Sequence, residues 1–173
     1  MSGRNWLSTL CHLLGILILA CVILSCLPVT IPRYMGYEIY HVVSGSMEPE
    51  IPVGSILYVE EVRADEVQAE DVIAFQSGDS VITHRVVKNR LVEGEFVTKG
   101  DANAAEDLKT VPYGSLIGRV KYHFPVLGKL MVLYTSAIGK VYVIGFAACG
   151  ALLNLLAGRI RARNRLAGDE ERV

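Results

Sequence analysis

The segment Val42-Val43-Ser44-Gly45-Ser46-Met47-Glu48-Pro49 has the composition of a strand end followed by a tight turn. The residues from Glu38 to Val43 are largely apolar and β-branched, whereas Ser-Gly-Ser cannot continue a core strand and Pro49 cannot donate to a ladder. Such a turn presents hydroxyl groups at a rigid edge. One serine could act as a nucleophile while the other, with a backbone N–H, faces the oxyanion of an attacked carbonyl. A simple polar loop is the alternative interpretation.

The chain is too apolar for an ordinary soluble domain of its size, with 51% hydrophobic residues among 173 and a mean hydropathy of +0.37. This excess is localised in two runs. Residues 6–31 contain no charged side chain, and Leu13 to Ile31 would form a helix about 28 Å long. Val141 to Ala157 holds only Asn154 as a strongly polar residue. Both runs predict helices that cross a membrane.

Basic residues outside the two runs predict how the chain is oriented. Four arginines directly follow the second run and Arg4 precedes the first, so the positive-inside rule puts both termini in the cytoplasm. The segment between the runs is then extracytoplasmic. The predicted division is an N-terminal transmembrane anchor over 1–31, a β-rich domain over 32–129, a C-terminal transmembrane helix over 130–158 and a basic cytoplasmic tail over 159–173.

Several functional classes are excluded by composition. The net charge of −1, without a basic surface between the runs, argues against a nucleic-acid partner. All four cysteines lie in the apolar runs, and no metal-spaced cluster, phosphate loop or dinucleotide fingerprint occurs, so no metal or other cofactor is predicted. Ile23 to Cys26 loosely resembles a lipoprotein cleavage site, but the run continues apolar to Ile31, which favours an uncleaved anchor.

The segment between the two apolar runs, about 97 residues long, is predicted to form one small domain of short strands. A polar linker over 60–70 and a hairpin turn at Ser77-Gly78-Asp79-Ser80 separate the apolar, β-branched stretches. The last strand is predicted to break at Gly118. The predicted strands span 38–43, 55–59, 72–76, 81–88, 96–99 and 116–122.

A serine nucleophile needs a base, and His84 is the best placed of the four histidines. The period of two puts His84 on the same strand face as Ile82 and Val86, where a partly dry imidazole could stay neutral. A satisfied core histidine is the alternative. Asp101 and Asp107, in the loop after the next strand, are both candidates for the carboxylate that orients the imidazole.

Four boxes of the sequence, in this order and spacing, resemble those of type I signal peptidases. In most bacterial members the position of His84 is a lysine base, whereas histidine marks the endoplasmic-reticulum-like branch of eukaryotes, archaea and some Gram-positive bacteria. The sequence is similar to that branch, although Ala102 stands where the branch usually has asparagine. The boxes are Ser44-Gly45-Ser46-Met47-Glu48-Pro49, Glu70-Asp71-Val72-Ile73-Ala74-Phe75, Ile82-Thr83-His84-Arg85-Val86-Val87 and Thr98-Lys99-Gly100-Asp101-Ala102-Asn103 with Asp107.

The resemblance implies a membrane-bound serine endopeptidase that removes signal peptides from exported preproteins at the outer membrane face. The fold that it implies is a small antiparallel β domain between two transmembrane helices. The expected partners are signal-peptide-bearing preproteins and the lipid bilayer. The roles implied are nucleophile for Ser46, general base for His84, third catalytic member for Asp107, supporting carboxylate for Asp101, oxyanion-hole neighbour for Ser44 and substrate-pocket residue for Met47.

Two other interpretations remain open at the level of the sequence. A non-catalytic, membrane-anchored module for binding or assembly would not require Ser46, His84 and Asp107 to converge. A Ser-Lys peptidase would use Lys99 or Lys88 as its base, which requires a buried lysine with a lowered pKa.

Overall fold

A computed structural model describes residues 2–170 of the chain. The chain forms two compact units. One comprises the residues up to Leu27 and from Val132 onward, and the other is Pro28–Met131. The first unit is helical, whereas the second contains a seven-stranded antiparallel sheet. The predicted fold class, a mostly antiparallel β domain with apolar helices at both ends of the chain, is confirmed.

The helices are longer than the apolar runs predict. They are α1 (Ser2–Tyr34), α2 (Gly128–Thr135) and α3 (Ala137–Glu170). Trp6–Tyr34 and Ala137–Leu166 are long and apolar enough to cross a membrane by length and composition. The structure has two helices where one was predicted over 130–158, and α3 continues through the arginines that were predicted to form a tail. The fourfold domain division stays a prediction.

Within the helical unit, α1 and α3 approach closely at glycine. A Cβ on Gly15 would lie 2.8 Å from the carbonyl oxygen of Gly150 and 2.4 Å from Asn154 Nδ2. His12 Nδ1 donates to Asn154 Oδ1 at 2.6 Å, while Asn154 Nδ2 donates to the Gly150 carbonyl at 2.9 Å. Small residues that allow close backbones, with hydrogen bonds between polar side chains, are typical of paired helices in apolar surroundings.

The second unit contains strands β1 to β7 in the spatial order β1-β2-β7-β3-β4-β5-β6, with every neighbouring pair antiparallel. All six predicted strands are present, with ends shifted by a few residues. The strands are β1 (Tyr37–His41), β2 (Ile56–Glu60), β3 (Val72–Ser77), β4 (Ser80–Arg90), β5 (Glu95–Lys99), β6 (Val111–Pro112) and β7 (Leu116–Phe124).

Two details of the sheet differ from the sequence prediction. The two-residue strand β6 was not predicted, because it is short and contains Pro112, which cannot donate to a ladder. The predicted break at Gly118 is wrong, since β7 runs through it with a shifted register against β3. Gly118 is needed for a close approach, because a Cβ there would lie 2.2 Å from the Glu60 carbonyl oxygen.

The apolar residues of the sheet form two buried clusters. One contains Val67, Ile73, Phe75, Val86, Phe96 and Val111. The other contains Met47, Ile51, Leu57, Val59 and Ala74. The second cluster therefore includes residues of the turn after Ser46 and secures that turn to the sheet.

The end of α1 is connected to the sheet through a proline. Pro32 has no N–H, so the carbonyl of Pro28, four residues earlier, lacks its helical donor. Tyr58 in β2 supplies a replacement, because its hydroxyl donates to that carbonyl at 2.7 Å. The polar group that the proline leaves unpaired is thereby satisfied.

The side chain of Asn89 in β4 is hydrogen-bonded to residues of other segments, so we expect its substitution to lower the stability of the domain. Its Nδ2 donates to the carbonyls of Ala64 and Val67 at 2.9 and 2.8 Å, and its Oδ1 accepts from the Tyr113 hydroxyl. Asn89→Ala should lower the free energy of unfolding by roughly 2–4 kcal/mol, because partly buried carbonyls lose their donor. Denaturant unfolding measures this change. The exposed Lys88→Ala serves as control, and equal stability of the two variants would contradict the prediction.

Candidate active site

The turn that carries Ser46 is rigid because its far side is buried. The Glu48 N–H donates to the Gly45 carbonyl at 3.1 Å, and the Ile51 N–H donates to the Met47 carbonyl at 2.8 Å. Met47 and Ile51 are almost fully buried, at 2% and 1% exposure, whereas Ser46 is half-buried. The turn therefore holds the serine at the surface, directly before a segment whose side chains Met47 and Ile51 are anchored in the core.

Gly100 is the point at which the serine turn meets His84. The carbonyl oxygen of Ser46 accepts from the Ala102 N–H at 2.9 Å. A Cβ on Gly100 would lie 2.6 Å from that carbonyl oxygen and 3.0 Å from His84 Nε2. Atoms of Ser46 and His84 thus lie within 3.0 Å of the same point, which is left open by the missing side chain of Gly100.

His84 is buried on β4 and is hydrogen-bonded to Asp107. Its Nδ1 lies 2.5 Å from Asp107 Oδ2, which also accepts from Thr98 Oγ1 at 2.8 Å. Because a carboxylate only accepts, the proton of a neutral His84 belongs on Nδ1. The other ring nitrogen, Nε2, is then an acceptor on the side of Gly100 and Ser46. This is the tautomer that a general base requires.

Among the described residues 2–170, no hydrogen bond joins Ser46 Oγ to His84 Nε2. Catalytic hydrogen bonds are often long without substrate and shorten when it binds. Ser46 and His84 both border the space at Gly100, and His84 is already hydrogen-bonded to Asp107.

Asp101 pairs with an arginine. Arg85 Nε and Nη2 donate to Asp101 Oδ1 and Oδ2 at 2.8 and 2.7 Å, and Arg85 Nη1 donates to the Glu70 carbonyl at 2.9 Å. The hydrogen bonds to Asp101 raise the pKa of the Arg85 guanidinium above its ordinary value. The pair anchors the turn that begins at Gly100 to β4. Of the two candidate carboxylates, Asp107 is the one bonded to His84.

A cavity of about 180 Å³ opens beside Ser46. Its walls come from the end of β1 and the following residues on one side and from the start of β4 on the other. Ser44, which is exposed, and Met47, which belongs to the core, both line it. His41 lines it too. The predicted roles of Ser44 and Met47 stay predictions.

Three residues that shape this site were not among the predicted site residues. Arg85 binds Asp101, Thr98 binds Asp107, and Gly100 makes room between Ser46 and His84. The side-chain direction of Thr98 could have been predicted from strand alternation, because Thr98 follows the core residue Phe96 by two positions. The partners of the three residues could not have been predicted, because each contact crosses between strands or loops.

Comparison with known proteins identifies the family. No family model matches the chain. It is 44% identical over 81 residues to signal peptidase I W of Bacillus subtilis, covering 44% of this chain and 42% of that protein. It is 32% identical over 126 residues to the signal peptidase complex catalytic subunit SEC11 of Clavispora lusitaniae, covering 65% of this chain and 75% of that protein. The chain belongs to the type I signal peptidase family.

Within this signal peptidase family, the similarity to SEC11 proteins places the chain on the endoplasmic-reticulum-like branch. Human SEC11C is 30% identical over 104 residues, covering 53% of this chain and 54% of that protein. The chain thus spans about half the length of the human and Bacillus relatives and three quarters of the Clavispora relative. The resemblance inferred from the four boxes is confirmed. Family membership and the two candidate spans together indicate that this signal peptidase relative associates with membranes.

Proposed function

We propose that this member of the signal peptidase family is a membrane-associated serine endopeptidase that removes signal peptides from exported preproteins. Ser46 is the nucleophile, His84 the general base and Asp107 the carboxylate that orients His84. The observation that carries the proposal is the position of His84 between the two others. Its Nδ1 is bonded to Asp107 at 2.5 Å, and its Nε2 faces the gap at Gly100 that Ser46 borders.

The proposed reaction is acyl transfer through Ser46. Nε2 of His84 takes the proton of Ser46 Oγ as the oxygen attacks the scissile carbonyl, and Asp107 stabilises the resulting imidazolium. The N–H of Ser46 and the hydroxyl of Ser44 are the proposed donors to the oxyanion. His84 then gives its proton to the leaving amine, and a water molecule activated in the same way hydrolyses the acyl-enzyme.

We infer that the substrate binds as an extended strand beside β4. Val81 to Thr83 pair with β3 on one edge, while β5 pairs with β4 only from Arg85 onward. Main-chain groups on the other edge are therefore free to bind a peptide, as in other cases of strand addition. The adjoining cavity of about 180 Å³, which reaches Ser46, would take small side chains of the kind found at signal-peptide cleavage sites.

A lysine base is less well supported than His84. Lys99 is paired with Arg85 across the β4–β5 ladder and so projects from the face opposite to His84. Lys88 is exposed, whereas a lysine base needs a buried position.

The proposed topology has the β domain on the extracytoplasmic side and both termini in the cytoplasm. Its support is the cluster of arginines after the second span, within the distance over which basic residues set orientation. A serine held close to the outer face would meet a cleavage site as it leaves the bilayer, because the apolar segment of the signal peptide remains inside.

Cleavage of a signal-peptide-bearing preprotein by the full chain in lipid vesicles tests the function. Wild-type protein should cleave at a small-residue site, and Ser46→Ala should reduce kcat by roughly 10⁴-fold or more because the nucleophile is lost. Ser77→Ala, which changes an exposed serine at the end of β3, is the matched control. Undiminished cleavage by Ser46→Ala would overturn the assignment. A folded, inserted wild-type chain that cleaves nothing would favour the binding-module interpretation.

A further inference from the structure

Thr98 holds Asp107 through both its main chain and its side chain. The Asp107 N–H donates to the Thr98 carbonyl at 2.8 Å, and Thr98 Oγ1 donates to Asp107 Oδ2 at 2.8 Å. Oδ2 is the same oxygen that binds His84 Nδ1. Thr98 is completely buried, at 0% exposure, so its hydroxyl has no access to water as an alternative partner.

The sheet register explains why this hydroxyl lies beneath the carboxylate. Thr98 in β5 is directly opposite Val86 in β4, and directly opposed residues project from the same face. His84 precedes Val86 by two residues and shares that face. Thr98 and His84 are therefore diagonal neighbours, and the carboxylate of Asp107 bonds to both.

The loop around Asp107 gives the carboxylate little other support. Its two chain neighbours, Glu106 and Leu108, are exposed, and Leu108 is as open to solvent as a residue in an extended chain. Asp107 itself is only partly covered, with 22% of its side chain exposed. Its orientation thus depends on the bonds to Thr98 and His84, and a loop anchored only by its main chain would leave the carboxylate free to rotate.

We propose that Thr98 is a positioning residue of this site, whose hydroxyl holds the Asp107 carboxylate in the orientation that His84 needs. This inference rests on the proposed function of His84 as base and Asp107 as its partner. Thr98 does not touch the reacting atoms. It acts through Asp107 by occupying one lone pair of Oδ2 and leaving the other directed at His84 Nδ1.

Two matched pairs of variants test the hydroxyl separately from the side-chain volume. Thr98→Val keeps the shape but removes the hydroxyl, and should lower kcat roughly 10- to 100-fold with KM nearly unchanged, as expected for losing a hydrogen bond to a charged group. Thr98→Ser should retain a kcat close to wild type. If Thr98→Val does not fold, Thr98→Ala is compared with Thr98→Ser, because these two differ only in the hydroxyl oxygen.

A double mutant separates positioning from general stability. In an Asp107→Ala background, Thr98→Val should cause no further loss of kcat, because the group that it positions is already absent. The fraction of folded protein, measured by thermal unfolding, normalises each kcat. A further loss in the Asp107→Ala background, or a wild-type kcat for Thr98→Val, would overturn the inference. If Asp107→Ala itself cleaves as well as wild type, the failure lies in the proposed role of Asp107.

Discussion

His84→Ala in the membrane-reconstituted chain should lower kcat for signal-peptide cleavage by roughly 10³- to 10⁴-fold while KM changes little. The reason is that Ser46 would lose its proton acceptor, whereas the substrate cavity beside Ser46 has no wall from His84. Single-turnover cleavage of a preprotein, with and without the substitution, gives this ratio. Circular dichroism checks that the sheet survives the loss of a buried side chain.

The dependence of cleavage on pH provides an independent readout for His84. A protonated imidazole cannot accept from Ser46, so cleavage by the wild-type chain should be slower in acid than near neutral pH. A rate that stays flat down to about pH 5 would argue against a histidine base. Retained activity in His84→Ala would instead support a lysine as the general base. Lys99→Ala would then be the next variant to measure.

Gly100→Ala should lower kcat by roughly 100-fold or more, because one methyl group would enter the space between Ser46 and His84. The new Cβ would lie 2.6 Å from the Ser46 carbonyl oxygen, 2.8 Å from Asn103 Nδ2 and 3.0 Å from His84 Nε2. The Asn103 side chain can move, but the Ser46 carbonyl belongs to the main chain of the nucleophile turn. Displacing that carbonyl also weakens its bond from the Ala102 N–H.

Gly114→Ala is the control for Gly100→Ala. A Cβ on Gly114 meets no atom within 4 Å, so this variant should keep wild-type kcat and stability. Steady-state kinetics and thermal unfolding of both variants distinguish a misplaced catalytic group from an unfolded domain. A wild-type kcat for Gly100→Ala would show that Ser46 and His84 do not need the spacing seen at this glycine.

Local patterns were sufficient to predict most of the fold. The six longer strands were predicted from β-branched, alternating stretches bounded by turn residues. The two long helices were predicted from stretches that lack charge over the length of a bilayer. The predicted positions of the helix ends were less accurate than those of the strands. Residues just beyond Ile31 continue α1 because Pro32 ends only one hydrogen bond, whose acceptor is taken over by Tyr58.

The site could be predicted only in part. Strand alternation indicated that His84 faces the core, and the resemblance of the four boxes implied Asp107 as the third catalytic member and Asp101 as a supporting carboxylate. Asp101 and Asp107 lie in the same loop at similar distances along the chain, so spacing alone could not separate them. The partners distinguish them, since Arg85 on one face of β4 binds Asp101 and His84 on the other face binds Asp107.

By itself, the sequence determined the strands, the apolar helices, the serine turn and the family, because each of these depends on residues that are adjacent or regularly spaced in the chain. Only the tertiary structure shows that Asp107 bonds to both His84 and Thr98, and that Gly100 opens the space between Ser46 and His84. These contacts depend on the register between β4 and β5 and on where the following loop returns to the sheet. Hydrogen-bond geometry is selective over a few tenths of an ångström, and one-dimensional spacing does not specify distances between strands at that scale.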